Sequence, residues 1–442
     1  MEDTLYGHAA AWAANRGLGD GMKRLALMVC AIAFVTAACG CAKSPAAGGF
    51  VAAGKPTAAS SPRTPDPALV SAVNAFGFDL LGRRDGTNPG AVTVISPVSV
   101  HAALAMAANG ADGPTLAEMR KTLHLDSMKE ADSNLAYADL ISWLTSKTDV
   151  QLDIANSLWL DKGFPAKQDF LTTDARYFGA ELRTLELHEP SGPKTINEWV
   201  KKNTGGRIDQ IVADKVPDLA VLELLNATYF KADWETPFEH DATHKEPFHL
   251  LDGSTADVDM LTGTESWAHV MNADYEAIAL PYAGGVASMI VVQTSPLSSR
   301  GAGAPELTAD QFEQLRSQLQ TVTLAEGSLM LPKVELEWTG ELADDLKALG
   351  MPMAFDGGKA GFSRLTDVKP AWIGAVTHKT YLRVDEKGTE AAAATKVEMM
   401  AGSAMADPPF QMVVDSPYLI AVVDSQSGAV LFLATIRDPR GK

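Results

Sequence analysis

The chain has 442 residues, 46% of them hydrophobic, and a formal net charge of -18 at pH 7. That length suffices for a sizeable core, and the acidic charge, with no run of Lys and Arg, argues against nucleic acid, polyanions and anionic lipid surfaces as partners of the folded part. The three cysteines, Cys30, Cys39 and Cys41, all lie near the start, so the rest of the chain must be held together by its core rather than by disulfides.

Residues 1–38 are predicted to be a secretory signal segment. Met22, Lys23 and Arg24 precede an apolar run at residues 25–38, and this order of charged, apolar and small residues is typical of export signals. The run is too short to span a bilayer comfortably. The residues before Met22 lack the pattern, which leaves Met22 as an alternative start of the protein.

Cys39 is predicted to be a membrane anchor. Residues 35–39, Val-Thr-Ala-Ala-Cys, resemble a bacterial lipoprotein cleavage box, which implies cleavage before Cys39 and attachment of lipid to its thiol. Residues 39–66 are rich in Ala, Gly, Ser, Thr and Pro and are predicted to be a flexible tether. The protein is therefore expected to be exported, either as a cell-surface lipoprotein anchored through Cys39 or as a secreted protein behind an ordinary signal peptide.

One domain is expected over residues 67–442, because no second linker and no internal repeat follows. Apolar periodicity predicts a first helix at residues 69–81 that ends at Gly82. Further helices are predicted at residues 99–108, 195–204, 309–319 and 340–349. Strands are predicted at residues 222–230, 287–293, 328–336, 376–384, 418–423 and 430–436. The irregular order of these elements indicates a mixed α+β fold with large antiparallel sheets rather than a doubly wound nucleotide-binding fold.

A metal-dependent enzyme is one candidate function. His240 and His244, with His249 beyond, resemble the two-histidine zinc motif with Asp in the Glu position. That chemistry needs both histidines on one face of a helix, but Pro237 and Pro247 leave room for hardly two turns. The histidines are therefore predicted to lie in a loop or edge strand. No Gly-x-Ser-x-Gly, P-loop or dinucleotide motif is present, so neither a catalytic site, a metal nor a cofactor is expected.

His378 lies in a predicted strand and shares its apolar face with Val376, Leu382 and Val384. A histidine in such a position is more often a hydrogen-bonded core residue than a general base. His378 is therefore predicted to be structural.

Residues 388–409 carry two conflicting patterns. Four consecutive alanines favour a short surface helix. The odd-numbered residues from 389 to 399 are Thr, Ala, Val or Met, whereas Glu390, Lys396 and Glu398 fall on the opposite side of an extended chain. The local pattern alone does not choose between helix and strand.

The neighbouring motifs resemble those of the serpins, the serine protease inhibitor family. Residues 384–395, Val-Asp-Glu-Lys-Gly-Thr-Glu-Ala-Ala-Ala-Ala-Thr, are similar to the serpin hinge, and residues 95–99, Ile-Ser-Pro-Val-Ser, to the serpin shutter. Further similar motifs occur at residues 196–208, 226–238, 280–282, 331–333, 376–378, 415–418 and 431–432. The resemblance covers residues 67–442. It implies a monomeric serpin fold with three β-sheets, about nine helices and an exposed reactive-centre loop.

The resemblance also implies a function that involves no enzymatic turnover. A target serine protease attacks the loop and forms a covalent acyl-enzyme, and the cleaved loop then inserts into the main sheet as a new strand, which makes the inhibition irreversible. Small side chains at the leading end of the loop suit rapid entry into a sheet. The alternative is a non-inhibitory serpin-fold binding protein or a plain protease substrate.

Individual roles follow from matching the serpin motifs residue by residue. The hinge residues are Glu386, Gly388, Thr389, Glu390, Ala391, Ala392, Ala393, Ala394 and Thr395. The shutter residues are Ser96, Ser99, Asn226 and His378, and the breach residues are Trp234 and Lys333, the latter paired with Glu386. Stability of the fold alone is the competing interpretation of the shutter and breach residues.

Counting forward from Gly388 at the family's usual spacing places the reactive bond between Gly402 and Ser403. The stretch that follows is longer than in better-known serpins, so the residue read by the protease could also be one of Met400, Ala401, Ala404 and Met405. No Arg or Lys occurs at residues 397–410, which disfavours a trypsin-like target. An elastase-, subtilisin- or chymotrypsin-like protease is expected.

Overall fold

Strands and helices together occupy most of the chain that the computed structural model describes, namely residues 50–52, 56–57, 63–148, 150–179, 181–213, 222–296, 303–389 and 409–441. In chain order, the α-helices within these residues are α1 (Pro67–Thr87), α2 (Pro97–Gly110), α3 (Gly113–Thr122), α4 (Glu130–Thr145), α5 (Gln168–Phe178), α6 (Ser191–Asn203), α7 (Ala309–Thr321) and α8 (Ala343–Leu349).

The strands described are β1 (Phe50–Ala52), β2 (Thr93–Ile95), β3 (Gln151–Asp161), β4 (Glu181–Leu185), β5 (Leu222–Asp233), β6 (His244–His249), β7 (Thr255–Met271), β8 (Tyr275–Pro281), β9 (Ala287–Thr294), β10 (Ala325–Pro332), β11 (Val334–Glu341), β12 (Ile373–Val384), β13 (Gly388–Thr389), β14 (Phe410–Val413), β15 (Tyr418–Asp424) and β16 (Val430–Ile436). Short 3₁₀ turns lie at His240–Ala242, Ala283–Gly285 and Pro352–Phe355.

Several predicted boundaries differ from the observed ones. The helix predicted at residues 340–349 starts only at Ala343, because β11 extends to Glu341. Two further differences have identifiable reasons. Helix α1 does not end at Gly82 but continues to Thr87, since one exposed glycine costs a helix only about 0.5–1 kcal/mol. The helix starts at the cap Asp66, which accepts the Ala68 amide at 2.8 Å, and ends at Asn88, whose amide donates to the Arg84 carbonyl. The strand predicted at 328–336 is two strands, because the chain turns at Lys333, whose amide donates to the Asp259 carbonyl at 2.8 Å.

The main sheet has seven strands, in the order β1-β4-β3-β5-β12-β11 with β13 paired to β5. At its centre β5 runs antiparallel to β3 and parallel to β12, from Leu222 opposite Ile373 to Tyr229 opposite Tyr381. Strand alternation gives β5 two buried faces. One packs in the large core with α2, and the other packs beneath α6, where the apolar cluster includes Trp159, Trp199 and Leu225.

The second sheet has nine strands, in the order β14-β10-β7-β8-β9-β15-β16-β2 with β6 paired to β7. Its 17-residue strand β7 joins two parts of the sheet, here called limbs. Residues of β7 up to Trp267 pair with β6 and β10 in the first limb, whereas residues 268–271 pair with β8 in the second. The three expected sheets correspond to the main sheet and these two limbs. All seven residues of β15 and all seven of β16 are buried, which makes this limb the centre of the core.

Part of the segment predicted to be a flexible tether lies on the domain. Strand β1 pairs antiparallel with β4, with Phe50 opposite Arg183, and the amide of Thr57 donates to the Arg176 carbonyl at 2.8 Å. Pro56 is buried. The compact unit extends over Gly48–Lys442.

The proposed signal segment and Cys39 lie outside the described residues. Among the residues that are described, no helix is long and apolar enough to cross a membrane.

Two glycines of α1 give a matched test of this packing. A Cβ at Gly77 would lie 2.6 Å from Pro97 Cγ, whereas a Cβ at Gly82 would meet nothing within 4 Å. Gly77→Ala is expected to lower the free energy of unfolding by about 1–3 kcal/mol through overpacking. Gly82→Ala should raise it by about 0.5–1 kcal/mol because alanine favours the helix. Urea denaturation measures both, and equal stability of the two variants would contradict the close α1–α2 contact.

Candidate functional site

The hinge segment begins where β12 ends and reverses towards β5. The amide of Asp385 donates to the Gly388 carbonyl at 2.9 Å, and Gly388 and Thr389 pair antiparallel with Asp233 and Ala232 of β5. Gly388 has a φ of 153°, and a Cβ there would lie 2.1 Å from the Ala232 carbonyl oxygen, so only glycine fits this crossing. The register of β5 with β12 stops at Tyr229, and β13 lies beside the free end of β5.

Thr389 is the first side chain of the segment to enter the core. It is fully buried, and its hydroxyl is 2.7 Å from the hydroxyl of Tyr282. Tyr282 in turn stacks on Trp234, with 4.6 Å between ring centroids. The indole of Trp234 donates to the Asp385 carbonyl at 2.9 Å, and its amide donates to the Lys387 carbonyl at 2.8 Å. Trp234 therefore holds the main chain of the hinge on both of its sides.

Glu386 gathers polar groups from two other parts of the chain, the 3₁₀ turn at His240–Ala242 with Thr243 directly after it, and Lys333. Its carboxylate accepts from Lys333 Nζ at 2.9 and 3.1 Å and from Thr243 Oγ1 at 3.1 Å, and it lies 3.2 Å from His240 Nδ1. Burial opposes its ionisation, but these hydrogen bonds, with Lys333 first, outweigh burial and lower the pKa of Glu386 to about 2. Its carbonyl accepts the Phe238 amide at 2.7 Å.

The three histidines of the zinc-like stretch do not share a helix. His240 opens a 3₁₀ turn, whereas His244 and His249 are the two ends of β6, which pairs with β7 at the border of its sheet. The prediction of a loop and an edge strand is confirmed. No group of three or more His, Cys, Asp and Glu side chains in the described ranges could hold a metal ion.

The four predicted shutter residues meet across the middle of the main sheet. The Ser96 amide donates to His378 Nε2 at 2.9 Å, and His378 Nδ1 lies 3.4 Å from the Asn226 carbonyl. The Asn226 side-chain amide donates to Ser99 Oγ and to Asn156 Oδ1. Burial lowers the pKa of His378 to about 3, so the ring is neutral near pH 7 and acts as a hydrogen-bonding tie rather than a base.

Sequence reasoning did not identify Asn156 or Tyr282 as site residues. Asn156 lies opposite Asn226 in the β3–β5 ladder, and Tyr282 follows β8 and reaches Thr389. A polar residue within a β-rich run was the only signal for Asn156. Tyr282 lies in the serpin-like motif at residues 280–282, but that motif assigned it no role, because the role depends on a contact with a residue far along the chain.

The reactive bond, Gly402 and Ser403, and the hinge residues Glu390, Ala391, Ala392, Ala393, Ala394 and Thr395 lie outside the described residues. The chain is described again from residue 409, before β14, where Phe410 stacks on His269 with ring centroids 4.0 Å apart. Residues 390–408 thus link β13 in the main sheet to β14 in the second sheet.

The Glu386 cluster gives a pH-dependent prediction. Because its pKa is lowered on folding, the ionised carboxylate stabilises the folded chain above about pH 5, and this stabilisation is lost as the pH falls towards 2. Glu386→Gln should be less stable than the wild type at pH 7, and the difference should shrink steadily from pH 5 to pH 3 in urea denaturation. Glu239→Gln, a change at an exposed carboxylate nearby, is the control. A difference that is independent of pH would refute the role of the charge.

The comparisons with known proteins agree with this architecture. A family model described as Serpin (serine protease inhibitor) matches residues 71–439. Human leukocyte elastase inhibitor is 30% identical over 381 residues, which cover 84% of this chain and 99% of that protein. An uncharacterised serpin-like protein of Thermococcus kodakarensis is 31% identical over 376 residues, which cover 84% of this chain and 86% of that protein.

Among solved structures, the thermophilic serpin tengpin in its native state matches with a TM-score of 0.77 at 28% identity. The match covers 87% of this chain and 97% of that chain. The family model begins within α1 and ends after β16, so it spans both the hinge and the shutter. The chain belongs to the serpin family of serine protease inhibitors.

Proposed function

We propose that this serpin is an irreversible suicide-substrate inhibitor of serine proteases that inserts its cleaved loop between β5 and β12. The observation that carries the proposal is the pairing of Gly388 and Thr389 with the end of β5. The segment already has the antiparallel direction of an added strand, and it starts at the point where the pairing of β5 with β12 stops.

The register of β13 predicts how the loop would continue down β5. Thr389 faces Ala232, so each later residue would face the preceding residue of β5, which brings Thr395 opposite Asn226. Thr389, Ala391, Ala393 and Thr395 would then point to the core, and all of them are small. Small side chains meet little resistance on entering a closed sheet, which suits an insertion that must outrun hydrolysis.

The shutter offers unpaired groups to such a strand. The buried atoms Ser96 Oγ, Asn226 Oδ1 and Thr228 Oγ1 have no hydrogen-bond partner among the described residues. Unpaired buried polar atoms each cost the closed sheet stability. The hydroxyl of Thr395 would arrive beside Asn226 and supply a donor there, which favours the inserted state.

The covalent step uses the protease's chemistry. The protease serine Oγ attacks the carbonyl carbon of Gly402, the bond to Ser403 nitrogen breaks, and that nitrogen leaves as a free amine after taking up a proton. The new ester persists only if insertion distorts the protease before water reaches the ester. The serpin contributes the peptide bond that is cleaved and the free energy of loop insertion.

The proposed target class is an elastase-, subtilisin- or chymotrypsin-like serine protease. No basic residue occurs at residues 397–410, and the expected recognition residue is Gly402 or a neighbouring Met or Ala. Inhibitors named for leukocyte elastase are among the similar proteins, at 30% identity. A non-inhibitory binding protein or plain substrate is the competing function, and the small hinge residues speak against it.

The first experiment mixes the purified protein with elastase, subtilisin, chymotrypsin and trypsin and resolves the products on a denaturing gel. We expect a covalent complex with at least one of the first three, together with a short released C-terminal peptide whose mass gives the cleaved bond. Clean cleavage by all of them, with protease activity fully retained, would refute the inhibitor and leave the plain substrate.

Thr389→Arg provides the internal control for the mechanism. Thr389 is already buried beside Tyr282, so an arginine there would displace the first residue of the added strand from β5, and complex formation should fall at least about tenfold in favour of cleavage, since about 1.4 kcal/mol of added barrier suffices for that change. Thr389→Ser keeps a small side chain with a hydroxyl and should still form the complex. Unchanged complex formation by Thr389→Arg would argue against insertion.

We also propose that the protein is an exported monomer, tethered to a membrane through Cys39. The support is the lipoprotein-like box at residues 35–39, with an ordinary secreted protein as the alternative. Metabolic labelling with a fatty-acid analogue in a bacterial host should label the wild-type protein and leave Cys39→Ala unlabelled. Persisting label in Cys39→Ala would exclude this anchor.

A further inference from the structure

The segment after α6, residues 204–213, packs with α6 on one face of the main sheet. Asn197 of α6 holds this segment, because its side-chain oxygen accepts the amides of Ile211 and Val212 at 2.9 and 3.1 Å and its side-chain nitrogen donates to the Val212 carbonyl at 3.0 Å. Buried apolar side chains of the segment belong to the same cluster as Leu225 of β5. Helix α6 and the segment after it are therefore packed as one unit with β3 and β5.

The apolar cluster beneath α6 stops at β5. Its described members come from β3, from β4 and the turn after it, from α6 and its following segment, and from β5, and none of them comes from β12 or β11. On this face, other kinds of contact join β5 and its cover to β12. One is the stack of Tyr229 on Tyr381, with ring centroids 6.4 Å apart, and another is made by Lys379.

Lys379 of β12 reaches across the β5–β12 pairing. It lies opposite Ala227 of β5, and its side chain is buried. Its ammonium group donates to the Gln210 carbonyl at 2.8 Å and also pairs with the carboxylate of Glu337 on β11. These two contacts, here called the Lys379 bridge, join the segment after α6 to β12 and β11. A hydrogen bond from a charged donor is stronger than a neutral one, and burial limits competition from water.

Insertion of a strand would break the Lys379 bridge. A new strand between β5 and β12 moves β12 and β11 away from β5 by one strand spacing of about 4.8 Å. The segment after α6 is held on the side of β3 and β5 by Asn197 and by the apolar cluster. A hydrogen bond of 2.8 Å does not survive such a displacement, so the bond from Lys379 to Gln210 must open when the strand enters.

We infer that Lys379 is a positioning residue for loop insertion: its bridge holds β5 and β12 together and sets how readily they separate. The consequence for inhibition rests on the proposed function. The effect on the closed sheet can be measured without any protease.

The closed-state experiment measures amide hydrogen exchange in the intact full-length protein at pH 7 for the wild type, Lys379→Met and Lys379→Leu. Both variants keep an apolar side chain in place but cannot donate. Amides of β5 and β12 should exchange about three- to tenfold faster, because one hydrogen bond that opposes their separation is lost. Amides of β15 and β16, which are buried in the second sheet, should exchange as in the wild type. Unchanged exchange, or equal acceleration in both sheets, would overturn the inference.

Two further variants test whether the donor and its position matter. Lys379→Arg keeps a charged donor, and its exchange should stay close to that of the wild type. Lys201→Met is the control, since the ammonium group of Lys201 pairs with Asp209 at 2.9 Å and so joins α6 to its own following segment. Exchange in β12 should not change in this control. An arginine variant that exchanges as fast as Lys379→Met would overturn the role of the donor.

Inhibition supplies the readout that a merely structural role would not move. Thr389→Arg is expected to slow insertion, so easier separation of β5 and β12 should compensate for it. Thr389→Arg/Lys379→Met should form several-fold more covalent complex with a trapped protease than Thr389→Arg alone, whereas Thr389→Arg/Lys201→Met should not. Equal complex formation by all three would overturn the role of Lys379 in insertion.

The outcomes separate this inference from the proposed function. If the wild type traps no protease, the proposed function fails, and hydrogen exchange still decides whether Lys379 holds the two strands together. If the wild type traps protease but the Lys379 variants match it in hydrogen exchange, the proposed function stands and this inference fails.

Discussion

The parallel pairing of β5 with β12, here called the seam, is the constraint on which the rest of the structure depends. These parallel neighbours are joined by the ladder that runs from Leu222 to Tyr229, yet the proposed function requires them to separate. Such a seam must be strong enough to persist and weak enough to open. At one end of the seam the rings of Tyr229 and Tyr381 stack. At its middle His378 Nδ1 lies beside the Asn226 carbonyl, and both residues also hydrogen-bond to neighbouring elements, so these side chains can exchange partners.

The hinge shows how a chain can be held and still be ready to move. Its carbonyl groups accept hydrogen bonds from the indole and amide of Trp234 and from the amide of Phe238, and the carboxylate of Glu386 is held by Lys333. Of these donors, Trp234 and Phe238 follow β5, and Lys333 lies in the turn after β10. The fixed part therefore ends at Thr389, and the segment that would travel begins with Glu390 and the four alanines that follow it.

The sequence predicted five of the eight described helices and seven of the sixteen described strands, where the apolar periodicity is strong, as at β16, whose bounds match the prediction residue for residue. Boundaries failed where a local signal was overridden: Gly82 does not end α1, and an apolar run around Lys333 is two strands in two sheets. The roles of Ser96, Trp234 and the hinge came from family resemblance rather than from local pattern. Asn156 was not found that way, and Tyr282 was matched only as part of the motif at residues 280–282 without a role, since each acts through a contact across the fold.

The docked N-terminal segment has a consequence for the solubility of the domain. Without β1, strand β4 would be the bare border of the main sheet, and its free amides and carbonyls could template pairing with another molecule. Composition alone would suggest expressing the protein from residue 67, which removes that cover. The short strand at residues 50–52 thus protects the edge of the main sheet from edge-to-edge aggregation. It belongs to the folded unit although its composition is typical of a linker.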